Sequence, residues 1–296
     1  PMNTGAEAVE TALKTARRWG VEVKGVANGE QEIIVCENNF HGRTIAIISF
    51  STDPDARINY GPYAPGFHVI PYGDAAALEA AITPNTVAFL VEPIQGEAGI
   101  LMPPEGYLQQ VREICTRHNV LMMADEVQTG FARTGDMFAC DHEGVVPDIY
   151  ILGKALGGGV MPLSAVVANR DILGIYTPGS HGSTFGGNPL ACACAIKALE
   201  LLVRDNYPQM AREKGEYFMA KLREINNEDI LEVRGRGLLI GVEFKHSAVG
   251  YVKELIAHGV LAKETHENTI RFAPPIVISY EQMDDACTRI AQVFSK

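Results

Sequence analysis

The chain has 296 residues, of which 47% are hydrophobic, and a formal net charge of −11. That length supports a large core and a second, smaller one. The negative balance, with Lys and Arg scattered, argues against nucleic acid or an anionic membrane surface as partner and leaves a small metabolite as the default.

The sequence opens at Pro1-Met-Asn-Thr-Gly5, with no methionine at its head, so a fragment of a longer protein is expected. Thr4-Gly5 followed by Ala6-Glu-Ala-Val-Glu-Thr-Ala-Leu-Lys predicts a helix with acids in its first turn and bases later, as the macrodipole favours. Its start suits a phosphate. Ile33–Cys36 predicts a strand leading into the loop Asn39-Phe-His-Gly-Arg-Thr44. Strand Val87–Val91, helix Gly106–His118, strand Val120–Ala124 and strand Ile149–Leu152 follow. This alternation is the doubly wound α/β pattern.

A long Ala- and Leu-rich helix runs from Pro189 to about Arg204, and Asn206-Tyr-Pro208 interrupts it. Beyond it come a helix from about Gln209 to Ile225, strands Ile230–Val233 and Leu238–Phe244, a helix near Val249–His258, strand Thr269–Phe272 and a closing helix. The change of pattern predicts a large domain over 1–205, incomplete at its start, and a smaller C-terminal α+β domain over 206–296. No apolar run reaches the ~20 residues that cross a bilayer. Nothing resembles a signal peptide, and a cytoplasmic protein is expected, or a mitochondrial matrix one in a eukaryote.

Three apolar runs end alike: Val87–Val91 at Glu92, Val120–Ala124 at Asp125-Glu126, and Ile149–Leu152 at Gly153-Lys154. Continuous rather than alternating apolar runs indicate a mostly parallel sheet covered on both faces. Carboxyl ends then line one edge, where ligands bind, so Glu92, Asp125 and Lys154 are expected to share a site. A Gly-Lys pair after a strand is most often a solvated turn. Glycines just beyond the lysine would let a planar group approach, which suits a lysine that forms a Schiff base.

Other chemistries fit poorly. A P-loop needs Gly where Asp148 stands and Ser or Thr where Ala155 stands. His142-Glu143 and His266-Glu267 lack the second histidine of an H-E-x-x-H zinc helix, and the six cysteines form no C-x-x-C pair. No metal is predicted, and reduced, buried thiols are expected.

Asn3-Thr-Gly-Ala-Glu7, Phe40-His-Gly-Arg-Thr44, Val91-Glu-Pro-Ile-Gln-Gly-Glu97, Asp125-Glu-Val-Gln-Thr-Gly130, Gly153-Lys-Ala-Leu-Gly157, Gly182-Ser-Thr184 and Gly186-Gly-Asn-Pro189 together resemble the class III aminotransferases that use pyridoxal phosphate. The resemblance runs along essentially the whole chain and implies the fold-type I architecture of those enzymes. Cys36–Thr44, Ser51–Arg57, Ile151–Gly159 and Lys263–Pro275 look most like the ornithine aminotransferases. Acetylornithine and 4-aminobutyrate aminotransferases share the cofactor motifs, and an inactive truncated scaffold is a further alternative.

The resemblance implies roles residue by residue. Lys154 would hold the cofactor and move the proton at the substrate carbon. Asp125 would face the pyridine nitrogen and favour its protonated form. Phe40 and Val127 would flank the ring, Gln128 would bond its phenolic oxygen, and Gly5, Ala6 and Thr184 would hold the phosphate, with Thr184 supplied across a homodimer interface. Arg271 would bind the α-carboxylate of glutamate and 2-oxoglutarate. Glu97 would neutralise it when ornithine presents its δ-amine. Arg43, with Ser183 and Glu92 nearby, would take the distal carboxylate.

Overall fold

Six strands form the first sheet: β1 (Glu32–Cys36), β2 (Phe67–Ile70), β3 (Thr86–Val91), β4 (Leu121–Asp125), β5 (Ile149–Leu152) and β6 (Ala165–Ala168). They appear in a computed structural model describing residues 1–295. The order is β2-β1-β3-β4-β5-β6, parallel throughout except for the antiparallel pair β5/β6. Every residue of β3 and β4 is buried, as expected for central strands covered twice.

Alternation along the strands sorts the apolar side chains to two cores. Ile33, Val35, Leu90, Met123 and Ile151 pack with Val9, Leu13 and Trp19 of the helix Gly5–Trp19. Ile34, Phe89, Met122 and Ala124 pack instead with Leu108, Val111 and Cys115 of the helix Tyr107–Arg117. The expected mostly parallel, doubly wound sheet is therefore present, and its carboxyl edge is where β3, β4 and β5 stop.

The second sheet is antiparallel: β7 (Ile230–Arg236), β8 (Leu239–Phe244), β9 (Lys263–Thr265) and β10 (Thr269–Phe272), in the order β7-β8-β10-β9. One face buries Val233, Val242, Phe244, Ile270 and Phe272 with side chains of the helices Tyr207–Arg223, Val249–Ala257 and Tyr280–Phe294. This is the expected α+β portion.

The chain divides into two compact units. The first comprises Pro1–Pro93, Pro103–Gln128 and Cys140–Glu200; the second comprises Ile94–Met102, Thr129–Ala139 and Leu201–Lys296. Two short segments that follow β3 and β4 in sequence thus belong with the antiparallel sheet. No helix among the described residues is long and apolar enough to cross a membrane.

Candidate active site

At the carboxyl edge of the first sheet, Asp125 is 6% exposed and closes β4. Its Oδ1 accepts the Val127 amide at 3.0 Å and its Oδ2 accepts His41 Nδ1 at 2.6 Å. Burial alone would lower the His41 pKa. The hydrogen bond to Asp125 and the charges of Asp125 and Glu92 outweigh it and hold the pKa above its ordinary value. His41 Nε2 is buried and finds no partner among the described residues.

Glu92, the first residue after β3, is also buried and accepts the Phe40 amide at 2.9 Å. Its pKa is pushed up to about 7, first by desolvation and further by Asp125, against the pull of His41, the Phe40 amide and Lys154. Lys154 follows β5 through Gly153 and opens a short 3-10 turn, with its backbone at φ 41° and its side chain in an exposed residue. Few L-residues adopt that left-handed conformation, and its cost, of order 1–3 kcal/mol, is typical of functional positions. The three strand-end residues thus meet electrostatically at one edge.

Beside them, the helix Gly5–Trp19 begins with a capping box in which Glu7 accepts the Thr4 amide and Thr4 Oγ1 accepts the Glu7 amide. The Ala8 amide bonds the Thr4 carbonyl. Those bonds leave the Gly5 and Ala6 amides with no acceptor among the described residues. Gly5 and Gly153 carry no side chain here because Val127 packs against both. A Cβ on Gly5 would lie 3.0 Å from Val127 Cγ1, and one on Gly153 would lie 3.3 Å from the same atom. Two free amides at a helix N-terminus, a bare backbone around them, a lysine and a buried carboxylate fit a flat, phosphorylated, ring-nitrogen cofactor such as pyridoxal phosphate.

Ser183 accepts Asn3 Nδ2 at 3.0 Å, and Ser183 and Thr184 line a cavity of about 450 Å³ with Asn3, Glu7 and Thr44. The exposed Arg43 places its guanidinium 5.8 Å from the centroid of the Phe40 ring, within cation–π reach. Gln128 is half-buried, just beyond Val127.

In the second unit, the sheet face opposite its core carries one row across all four strands. Arg234 of β7 pairs with Gly241 of β8, Gly241 with Arg271 of β10, and Arg271 with Lys263 of β9. Gly241 has no side chain to lift the segment Ile94–Met102 off this face. A Cβ there would meet Ile100 at 3.1 Å and the Gly99 carbonyl at 3.3 Å. Arg234 donates to the carbonyls of Gly99 (Nη2, 2.7 Å) and Ile100 (Nε, 3.0 Å). Glu97 reaches the other end: Oε1 lies 2.5 Å from Arg271 Nη1 and Oε2 lies 3.1 Å from Lys263 Nζ. Thr265 Oγ1 donates to the Glu97 carbonyl.

The predicted residues fall into two groups. Glu92, Asp125, Lys154, Gly5, Ala6, Phe40, Val127, Gln128, Arg43, Ser183 and Thr184 belong to the first unit, and Glu97 and Arg271 to the second. His41, Lys263 and Arg234 escaped the sequence reading. His41 sits inside the Phe-His-Gly-Arg-Thr motif, so that motif was the available signal. Lys263 heads the segment Lys263–Pro275, but that segment gave no sign of its pairing with Glu97, and Arg234 gave no signal, because the placement of both lies in strand register.

The chain matches the family Aminotransferase class-III over residues 1–294. It is 60% identical over 295 residues to the ornithine aminotransferase of Geobacillus sp. (strain WCH70), covering all of this chain and 74% of that protein. Among solved structures, the ornithine aminotransferase of Toxoplasma gondii, described with partial occupancy of pyridoxal phosphate at its active site, superposes with a TM-score of 0.97 at 47% identity. The alignment covers 99% of this chain and 70% of that one. The acetylornithine aminotransferase of Elizabethkingia anophelis gives a TM-score of 0.89 at 51% identity, covering 99% of this chain and 74% of that one. With a family match along nearly every residue and relatives this similar in both sequence and shape, the chain belongs to the class-III aminotransferases and uses pyridoxal phosphate.

Proposed function

We propose that the chain moves the δ-amino group of L-ornithine to 2-oxoglutarate, giving L-glutamate and L-glutamate 5-semialdehyde. The semialdehyde cyclises to pyrroline-5-carboxylate, which places the reaction between ornithine and proline. Similarity to relatives named for ornithine supports the substrate. The carrying observation is the Glu97 carboxylate on Arg271. An arginine meant for an α-carboxylate is an uncompensated charge when the amine end of ornithine enters instead. A carboxylate parked on it removes that penalty.

Pyridoxal phosphate supplies an electron sink that stabilises negative charge on the carbon bearing the transferred amine. Around it the chain's own groups bind, orient and move protons. The Lys154 amine anchors the group and carries the proton to and from the substrate carbon. Asp125, held by His41 and the Val127 amide, presents a fixed negative charge to the ring nitrogen. The Gly5 and Ala6 amides hold the phosphate, joined by Thr184 across a homodimer interface. Phe40 and Val127 wall the ring, and Gln128 bonds its phenolic oxygen. Arg43 binds the distal carboxylate with Ser183 beside it, and Glu92 fixes the Phe40 backbone behind that end of the site.

Initial rates on ornithine, N-acetylornithine and 4-aminobutyrate, each with 2-oxoglutarate, test the substrate. Ornithine is expected to be fastest. Equal or faster turnover of either rival would overturn the assignment, and no turnover of any amine would favour an inactive fragment.

A further inference from the structure

The row of cations on the second sheet poses an electrostatic problem. Arg271 and Lys263 stand directly opposite each other on the adjacent antiparallel strands β10 and β9, a like-charge pairing that destabilises a sheet unless a counter-charge joins it. Glu97 is that counter-charge. It gives one carboxylate oxygen to each cation. Its backbone is fixed from both sides, by Thr265 on its own carbonyl and by Arg234 on the carbonyls of Gly99 and Ile100. Only the side chain is left to move.

We propose that Lys263 is a specificity-determining residue, the cation that keeps Glu97 when a substrate carboxylate takes Arg271. The proposal rests on the reading that Arg271 binds the α-carboxylate of glutamate and 2-oxoglutarate. With ornithine's amine end in the site, two cations share one carboxylate and Arg271 is neutralised. With a dicarboxylate in the site, the incoming carboxylate pairs with Arg271 and Glu97 pairs with Lys263, so no carboxylate is stranded. Arg271 alone could not serve both states. A Glu97 expelled from it without Lys263 would oppose the very anion that displaced it.

The geometry also explains the unequal exposure. Lys263 is 60% exposed and Arg271 only 16%. The less exposed guanidinium suits bidentate capture of a carboxylate, whereas the flexible ammonium at the rim suits a waiting position that solvent helps to stabilise.

The test compares Lys263→Met and Lys263→Arg with the wild type as cofactor-loaded enzymes. Glutarate, a five-carbon dicarboxylate with no amine to transfer, is titrated by calorimetry, and single-turnover half-reactions are run with glutamate and with ornithine. Lys263→Met should weaken glutarate and glutamate about fivefold more than ornithine, the upper end for a partly exposed ion pair. Lys263→Arg should restore the balance. Raised salt should shrink the difference. Equal effects on both substrates, or none, would overturn the role of Lys263. Arg271→Lys separates the two failures: if it leaves glutarate binding unchanged, the carboxylate assignment of Arg271 is what fails.

Discussion

Two charged clusters in this molecule are built on opposite terms. At the parallel sheet's edge, Asp125, His41 and Glu92 are all under 10% exposed; Asp125 and Glu92 each accept a fixed backbone amide, and His41 is held by Asp125. On the antiparallel sheet, Arg271, Glu97 and Lys263 are progressively more exposed and are joined to one another by side-chain ion pairs. The first arrangement is preorganised: its charges cost solvation at folding and need no reorganisation during reaction. The second can exchange partners, because each ion pair sits where water softens its loss. A reaction with one constant chemistry and two differently charged substrates calls for both kinds.

The largest expected effect breaks the first cluster at its chemical group. Lys154→Ala should reduce transamination by at least roughly 10⁴-fold, since it removes both the covalent anchor and the proton carrier. The visible absorbance of the bound cofactor should change with it. Turnover within tenfold of wild type would overturn the assignment of Lys154.

The strand ends were legible because a buried apolar run that stops at Glu92, Asp125 or Lys154 leaves its pattern in the composition itself. β2, β6 and β9 were not legible. Phe67–Ile70 is an edge strand broken by His68, Ala165–Ala168 is a short apolar run at the other edge with no charged residue directly after it, and Lys263–Thr265 is only three residues long. Glu97 and Arg271 entered through family resemblance, and no local pattern placed Lys263 opposite Arg271. That row needs the pairing register of four strands, two of them separated by some thirty residues, and register is a property of tertiary structure.

An intermediate effect is expected from the fixed end of the switchable cluster. Arg234→Ala removes the donor to two backbone carbonyls and the partner of Glu243, at a site where the arginine side chain is 10% exposed. A loss of about 3 kcal/mol is expected. Because the chain has two units, unfolding should be followed with probes in each. The second unit should melt earlier while the cofactor absorbance holds until the first unit melts. A simultaneous, unchanged transition would show that the row does not carry stability.

The smallest effect runs in the opposite direction and reports on the preorganised cluster. Glu92 has a folded pKa of about 7 against an ordinary 4.5, chiefly from burial and secondly from Asp125. Below pH 4.5 both folded and unfolded forms carry the proton, and Glu92 costs nothing. Between 4.5 and 7 the unfolded chain releases its proton while the folded one retains it, so stability falls as pH rises, levelling above 7. Glu92→Gln keeps an acceptor for the Phe40 amide but has no charge to bury. It should therefore match wild type near pH 4.5 and exceed it by about 1–3 kcal/mol at pH 8. Melting curves at the two pH values check this. A gain of equal size at both would mean that packing rather than charge sets the difference. A loss at pH 8 would mean that the Glu92 carboxylate is held there by His41 and Lys154 more strongly than burial and Asp125 oppose it, and the first cluster would then be an ion network rather than a strained one.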